Sequence, residues 1–505
     1  MTSKTFVSGT TIDSAWLNDV NNTIYTTVPA HTTKLSHIVD VVADFGADPT
    51  GTTVSDTAFT AAFIALAAGT FQELTFPPGL YKIASLHTLT LCNSVKLRGL
   101  TGFDGANSIL NGSNKATIRW TGASAISSPM LSFDRCNGLV IEGLTIDCNF
   151  LAGYGVQIYS SSTVVGGVSN TVQRCTIENA QRDGILIGTE GTPTAAPGGR
   201  QFYCNRFQQI VFYGCQRSGI HVNEWNADLG VYDQLQFYKD WTSTWVNGCA
   251  YGIWFDYGGQ CSTVSNCIAS ALSYNAGIAG SGYMIFNQSI LGAAGAQGLN
   301  IQNCWQEGAA GGLLYSVVAG GAVIKPNTLI NCQSYSDGTM ASVSIAAASA
   351  YNQKFTFEGC TFAGNINIST PVVRSQDLVV LNTVLATGKY IVDYSGAQVD
   401  QNGNQAIVMS GTTVVVSPYA KAGSVYMINN IGALYFNNSC LPSFSLLVQQ
   451  NAVGGKTITW TGSGQMGDTT LTTYPQPNVT AYKNSMFTFF PTSDGKINIA
   501  SYINT

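Results

Sequence analysis

Charge is what this chain has least of. Asp, Glu, Lys and Arg make up 10% of its 505 residues, against roughly 25% in an ordinary soluble domain, and the formal balance is a mild −5. With so few cations and no basic patch, a nucleic-acid partner is excluded. Long apolar runs are also missing. The longest, Ala58 to Leu66 and on to Phe71, is too short to cross a bilayer. Membrane insertion is therefore not expected, and the spacing suits a helix with one buried face. Met1 to Thr10 lacks the apolar segment of an export signal. Thirteen cysteines without such a signal are expected to be free thiols made in a reducing cytoplasm. No Cys-x-x-Cys occurs, which removes a zinc ribbon. Histidines number only four, and neither a metal nor a cofactor is expected.

What is present is glycine (54 residues), aromatic side chains (11%) and a recurring theme. A β-branched or aromatic strand is followed by a polar turn and then by a strand that opens on glycine. Asn170 to Ile177 leads to Arg182-Asp183-Gly184-Ile185-Leu186-Ile187, and Asn205 to Phe212 leads to Arg217-Ser218-Gly219-Ile220-His221-Val222. Trp245 to Phe255 follows with Gly252. The glycines are 35 and 33 residues apart, and Asn303-Cys304, Asn331-Cys332 and Gly359-Cys360 recur at 28 and 28. Periods of this length mark a solenoid whose coils cover one another. Stacking would set Cys267, Cys304, Cys332 and Cys360 in a column, a structural ladder of small apolar side chains, with Asn266, Asn303 and Asn331 beside it at a coil corner. Beyond residue 400 the texture changes to short strands such as Val414 to Val416 and Met486 to Phe490, read as a compact antiparallel sandwich. Gly462-Ser463-Gly464-Gln465-Met466-Gly467 fits G-x-G-x-x-G, but no helical segment follows it, so no dinucleotide site is expected. Gly455-Lys456-Thr457 lacks the upstream glycine of a P-loop.

The strand-turn stretch Val41 to Thr53, the Ala-rich helix near 56–68 and the strand that starts after Pro77-Pro78-Gly79 form an entry module. It resembles the start of the pectate-lyase-like right-handed parallel β-helix, in the variant seen in bacteriophage tailspikes and polysaccharide depolymerases. The leader, Thr5 to Asn22, reads as a strand, a turn and a short helix whose Ile12, Trp16, Leu17 and Val20 share one side. It resembles the tail-attachment segment of tail fibres and tailspikes. The expected organisation is an all-β chain: an N-terminal virion-attachment segment over 1–38, a single-stranded parallel β-helix over 39–399, and a C-terminal sandwich over 400–505 for trimerisation or glycan binding. The resemblance further implies a homotrimer in the virion tail, made in the host bacterial cytoplasm. Its partners would be a bacterial surface polysaccharide (capsule or O-antigen) and phage tail, baseplate or portal adaptor proteins met through residues 1–38.

Candidate chemistry gathers between residues 221 and 257, where Glu224, Trp225, Asp228, Asp233, Asp240, Trp241, Trp245, Trp254, Asp256 and Tyr257 hold four of the eight tryptophans. Sugar rings stack on aromatic faces while acidic groups take their hydroxyls. Registering the strands on Gly184, Gly219 and Gly252 puts Leu186, His221 and Trp254 in one outward column. Glu224 and Asp256 then become diagonal neighbours on successive coils. Glycoside hydrolysis needs two carboxyls roughly 5 Å apart for retention or about 6.5–9.5 Å for inversion. Glu224 and Asp256 are the expected catalytic pair, with Asp228 and Asp233, in the loop between, as substitutes. The expected substrate-binding residues are His221, Trp225, Trp241, Trp245, Trp254, Tyr257 and Arg217, with Glu307 further along the groove. Asp183 is read as a turn residue. The site resembles that of O-antigen-hydrolysing tailspikes, which place an acidic pair on successive coils. Two alternatives stay open. A polysaccharide lyase acting by β-elimination would use His221 with Arg217, Lys239 or Arg182 as base and cation, and a receptor-binding fibre would grip glycan without cleaving it.

Overall fold

A computed structural model describes residues 38–100, 114–163, 166–191, 201–238, 249–270, 272, 281–289, 298–308, 311–318, 326–335, 340–347, 355–368, 378–387 and 389–392, together with strand backbone between 398 and 504. The leader up to residue 37, the segment 239–248 that carries Trp241 and Trp245, and the Gly-rich stretch 462–467 lie outside the described residues.

Each coil contributes three short strands, and each strand pairs in parallel with its counterpart one coil on. Arg206–Tyr213 runs along a first ladder and bends into a second, pairing with Val231–Asp233 and then with Gln236–Tyr238. Ser218–Asn223 forms the third ladder and pairs with Tyr251–Phe255. Repeated along the chain, this gives three parallel ladders around an apolar lumen, a parallel β-helix. Alternation along each strand sends every second side chain inward. Ile185, Ile187, Ile220, Val222, Ile253 and Phe255 are all sealed in the lumen, each contributing roughly 1.5–3 kcal/mol by leaving water. Because coils repeat in register, like side chains stack. The rings of Phe212 and Phe237 lie 5.2 Å apart and 9° from parallel, and Phe207 and Tyr232 follow the same rule one ladder away.

That stack explains the glycines that open the third-ladder strands. A methyl group at Gly184 would stand 2.6 Å from Cδ1 of Phe212, and at Gly219 it would meet Phe237 still closer. The backbone passes the ring stack only where no side chain intervenes. At the corner between the first and second ladders the chain turns through the left-handed region once per coil, at Asn266 (φ 54°), Asn303 (φ 50°), Asn331 (φ 51°) and Gly359 (φ 63°). Asn and Gly tolerate that conformation best. The cysteine after each corner points inward and is buried, its thiol set against a carbonyl of the coil before: Cys304 on Val264, Cys332 on Ile301, Cys360 on Leu329. All twelve described cysteines are free.

The helix Asp56–Ala67 closes one end of the lumen. Its buried Phe59, Ala62, Phe63 and Leu66 lie at i, i+3, i+4, i+7 spacing, and Phe59 packs on Phe76 and Tyr81. No helix among the described residues is long and apolar enough to cross a membrane. At the other end the third ladder finishes in antiparallel pairings, Ile391–Val392 with Gln398–Val399 and the latter with Gln405–Ala406. Beyond it the expectation of an antiparallel sandwich is corrected. Thr413–Val416, Ala433–Phe436 and Thr459–Thr461 pair in parallel, as do Val425–Asn429 and Phe444–Gln449. Among the described strands of this region the last two pairings, Phe444–Gln449 with Asn484–Pro491 and Asn484–Pro491 with Ile497–Asn504, are antiparallel. Short β-branched strands look alike in either sense. The direction is set by the connections, and a return spacing of about 20 residues accommodates a crossover as readily as a hairpin.

Candidate active site on the third ladder

The third ladder carries Leu186, His221, Trp254, Phe286 and Tyr315 in register on its outward face. The imidazole of His221 lies flat against the indole of Trp254, centroids 4.0 Å apart and planes 3° from parallel. The guanidinium of Arg217 sits over the same indole, 5.2 Å from its centroid.

Asp183 organises this patch. It belongs to the strand Asp183–Gly188 and is fully buried, not the turn residue the sequence suggested. It accepts hydrogen bonds from Ser218 Oγ (2.7 Å) and Arg217 Nε (2.9 Å), and its Oδ2 lies 3.2 Å from His221 Nδ1. Burial alone would raise its pKa, but the charges and hydrogen bonds of Arg217 and His221 overcome that and hold it well below the usual carboxylate range. His221 is pulled both ways. Burial disfavours its charged form, while Asp183 on one ring nitrogen and Asp256 on the other favour it, and the net displacement is upward. Nε2 of His221 is 3.4 Å from Asp256 Oδ2.

Glu190 completes the network from its accessible side. It receives Arg217 through both terminal nitrogens (2.8 and 2.9 Å), Arg182 Nη1 (2.6 Å) and the Tyr154 hydroxyl (2.5 Å). Burial pushes its pKa up, yet hydrogen bonds from Arg217 and Tyr154 and the arginine charges bring it down to about 2. Asp183, Glu190 and His221 present ligand atoms within 4.8 Å of one another, a spacing that could suit a metal ion. Arg217 already supplies the cation there, within hydrogen-bond distance of all three. Glu190, Ser218 and Tyr154 were not singled out by sequence, and Asp183 was read as a turn residue, because the four enter from three successive coils. The Arg-Asp-Gly and Arg-Ser-Gly tripeptides at 182–184 and 217–219 were the one available signal, since they place an arginine at the same corner of two neighbouring coils.

The carboxylates singled out by sequence fall in different places. Asp256 follows Phe255 at the strand end, its amide donating to Val222 one coil away. It is 7% exposed, and its Oδ1 is buried without a hydrogen-bond partner. The indole Nε1 of Trp254 is buried and unpartnered as well. Glu224 occupies the corner after Asn223, has no exposed surface, and accepts from the amide of Trp225 through Oε1 (3.1 Å). One residue on from each, Trp225 and Tyr257 meet edge to face at 5.0 Å. Asp228 lies in the turn that follows, where its carboxylate takes the amide of Gln260. Two placements are corrected. Asp233 is in the first-ladder strand Val231–Asp233, held by Ser265 Oγ and Asn266 Nδ2, not in the loop between. Glu307 is on the second ladder, in register with Ser270 and Tyr335, and so on another face of the helix, not further along this groove.

No protein-family model matches the chain, and no curated protein matches it. Among solved structures it is similar to the tailspike protein of E. coli bacteriophage HK620 in complex with a hexasaccharide, at 12% identity and a TM-score of 0.43, covering 94% of this chain and 91% of that one. It is similar to the Dettilon tailspike protein (gp208), at 11% identity and a TM-score of 0.42, covering 97% and 84%. It is also similar to the mannuronan C-5 epimerase A-module of Azotobacter vinelandii, at 13% identity and a TM-score of 0.38, covering 83% and 93%.

Proposed function

We propose that the chain is a tailspike that binds a bacterial surface polysaccharide across its third ladder and hydrolyses it by carboxylate acid/base chemistry, as a homotrimer on the virion tail. The observation that carries this reading is a pair of unsatisfied buried polar atoms, Asp256 Oδ1 and Trp254 Nε1, one an acceptor and one a donor. Buried polar atoms are nearly always hydrogen-bonded, and a sugar hydroxyl is both donor and acceptor.

In this reading Asp256 takes a proton from the attacking water while the glycosidic C–O bond breaks, or it attacks the anomeric carbon itself and the resulting glycosyl ester is then hydrolysed by a water that gives its proton to Glu224. Glu224, in the dry corner, gives its proton to the leaving oxygen. Hydrolysis is favoured over β-elimination by the ion pairing around it. A lyase needs a cation to neutralise the uronate carboxylate, and among the described residues the two arginines open to that role, Arg217 and Arg182, are engaged by Asp183 and Glu190; Lys239 lies outside them.

The test is incubation with a panel of O-antigens and capsular polysaccharides, followed by mass analysis of the products. Hydrolysis gives new reducing ends without ultraviolet-absorbing unsaturated sugars. Asp256→Asn and Glu224→Gln should each lower turnover by about 10²- to 10⁴-fold while glycan binding persists. Unsaturated products, or full activity in both variants, would defeat the assignment.

A further inference from the structure

The second ladder presents aromatic surface of a different kind. Trp305 and Tyr335 are 44% and 47% exposed and meet edge to face at 5.9 Å. Tyr238, Ser270, Glu307 and Tyr335 follow one another in register along this face. The two tyrosines therefore stand three coils apart, about 14 Å, with the small Ser270 and the Glu307 carboxylate on the floor between them. Each tyrosine is tied back along its own strand, Tyr238 to Gln236 (3.1 Å) and Tyr335 to Gln333 (3.0 Å). Their rings are fixed before anything binds, which lowers the cost of ordering them.

We infer that this notch is a second, non-catalytic glycan-binding site, which takes an uncharged stretch of about two sugar rings between Tyr238 and Tyr335, with Trp305 as the stacking platform and Glu307 as the hydroxyl acceptor. It rests on the glycan reading above but not on the catalytic assignment. Three features select this occupant. The rim is amide, hydroxyl and carboxylate, the groups that take sugar hydroxyls. No cation stands among the outward residues of these four strands, and Glu307 brings a negative charge, which disfavours an anionic polymer. The apolar area is small. Trp305 and Tyr335 together expose roughly 200 Å², whereas a stable contact between protein copies needs about 800 Å² from each partner. The next exposed apolar residue in the Trp305 column, Val384, lies three coils on.

The experiment uses the full chain carrying Asp256→Asn, with and without Trp305→Ala plus Tyr335→Ala, against an immobilised panel of long-chain neutral O-antigen polysaccharides. The expected result is at least tenfold weaker retention in the triple variant at unchanged sedimentation. Glu307→Gln, which leaves every ring in place, should weaken retention two- to fivefold and guards against a folding artefact. Equal retention by all three proteins overturns the inference, as does a panel that none of them retains. A change of oligomeric mass on removing Trp305 and Tyr335 also overturns it, because the patch would then be an interface between copies. If Asp256→Asn instead keeps full turnover, the catalytic assignment fails while this comparison of binding stands.

Discussion

His87 at the capped end and His221 on the third ladder are both sealed, 3% and 2% exposed, and both touch a carboxylate, yet their protonation equilibria move in opposite directions. His87 lies under the capping helix among the rings of Phe59 and Phe63. Its Nε2 is 3.0 Å from Asp56 Oδ1, an oxygen that also takes the Ala84 amide. Burial outweighs this one shared, partly exposed partner, and the pKa falls. His221 has a carboxylate at each ring nitrogen, and Asp183 among them is fully buried. There the charges outweigh burial even with Arg217 opposing, and the pKa rises. Dryness does not set the direction by itself; the number of opposing charges, and how far they are themselves cut off from water, decides it. The fold uses one histidine as packing and ties the other into a charged network.

Removing the central charge of that network should have the largest effect on stability. Asp183→Asn leaves Arg217 and His221 facing a neutral amide in a buried setting, and one-sided removal of a buried ion pair costs about 3–5 kcal/mol. Urea denaturation followed through the tryptophans should show that loss. A loss below about 1 kcal/mol would mean that Asp183 does not organise the patch. The equivalent change at the cap is smaller. Asp56→Asn weakens the His87 contact and the acceptor for the Ala84 and Ser85 amides, at about 1–3 kcal/mol. Hydrogen exchange should speed up over 56–67 and leave the third-ladder strands Asp183–Gly188, Ser218–Asn223 and Tyr251–Phe255 unchanged. Faster exchange at both places would contradict the separation of the two regions.

The same two regions show how far the sequence could be read. The helix near 56–68 and the coil register on Gly184, Gly219 and Gly252 were legible because each rests on local spacing: apolar residues at helical intervals, and glycine wherever the strand must pass the Phe212–Phe237 stack. The Asn-Cys corners were legible for the same reason. The network around Asp183 was not. Its members come from residues 154 to 256, across coils whose inserted loops differ in length, and no local pattern shows that Glu190 and Tyr154 meet Arg217. Asp183 looks like any acidic residue before glycine. Only the stacked register, which puts Ser218 opposite it, turns it into a buried acceptor. Strand direction past residue 400 was illegible too, since it depends on how each connection returns.

The finest test of the comparison is its pH dependence. An unfolded histidine titrates near 6.5. His87, depressed in the fold, adds stability that is fully present above that value and is lost as pH falls, because the unfolded chain takes up the proton first. His221, raised in the fold, adds stability that is fully present below about 6.5 and is lost as pH rises through its folded value. What this test reads is the sign of each effect, which differs between the two histidines. His87→Gln should flatten the loss of melting temperature on the acid side of neutrality and leave the alkaline side unchanged. His221→Gln should flatten the alkaline side instead, and in an Asp183→Asn background it should lose that effect, since the main charge holding the proton on His221 is gone. If both histidine variants altered the same limb, the number of carboxylates around each ring would not be what separates them.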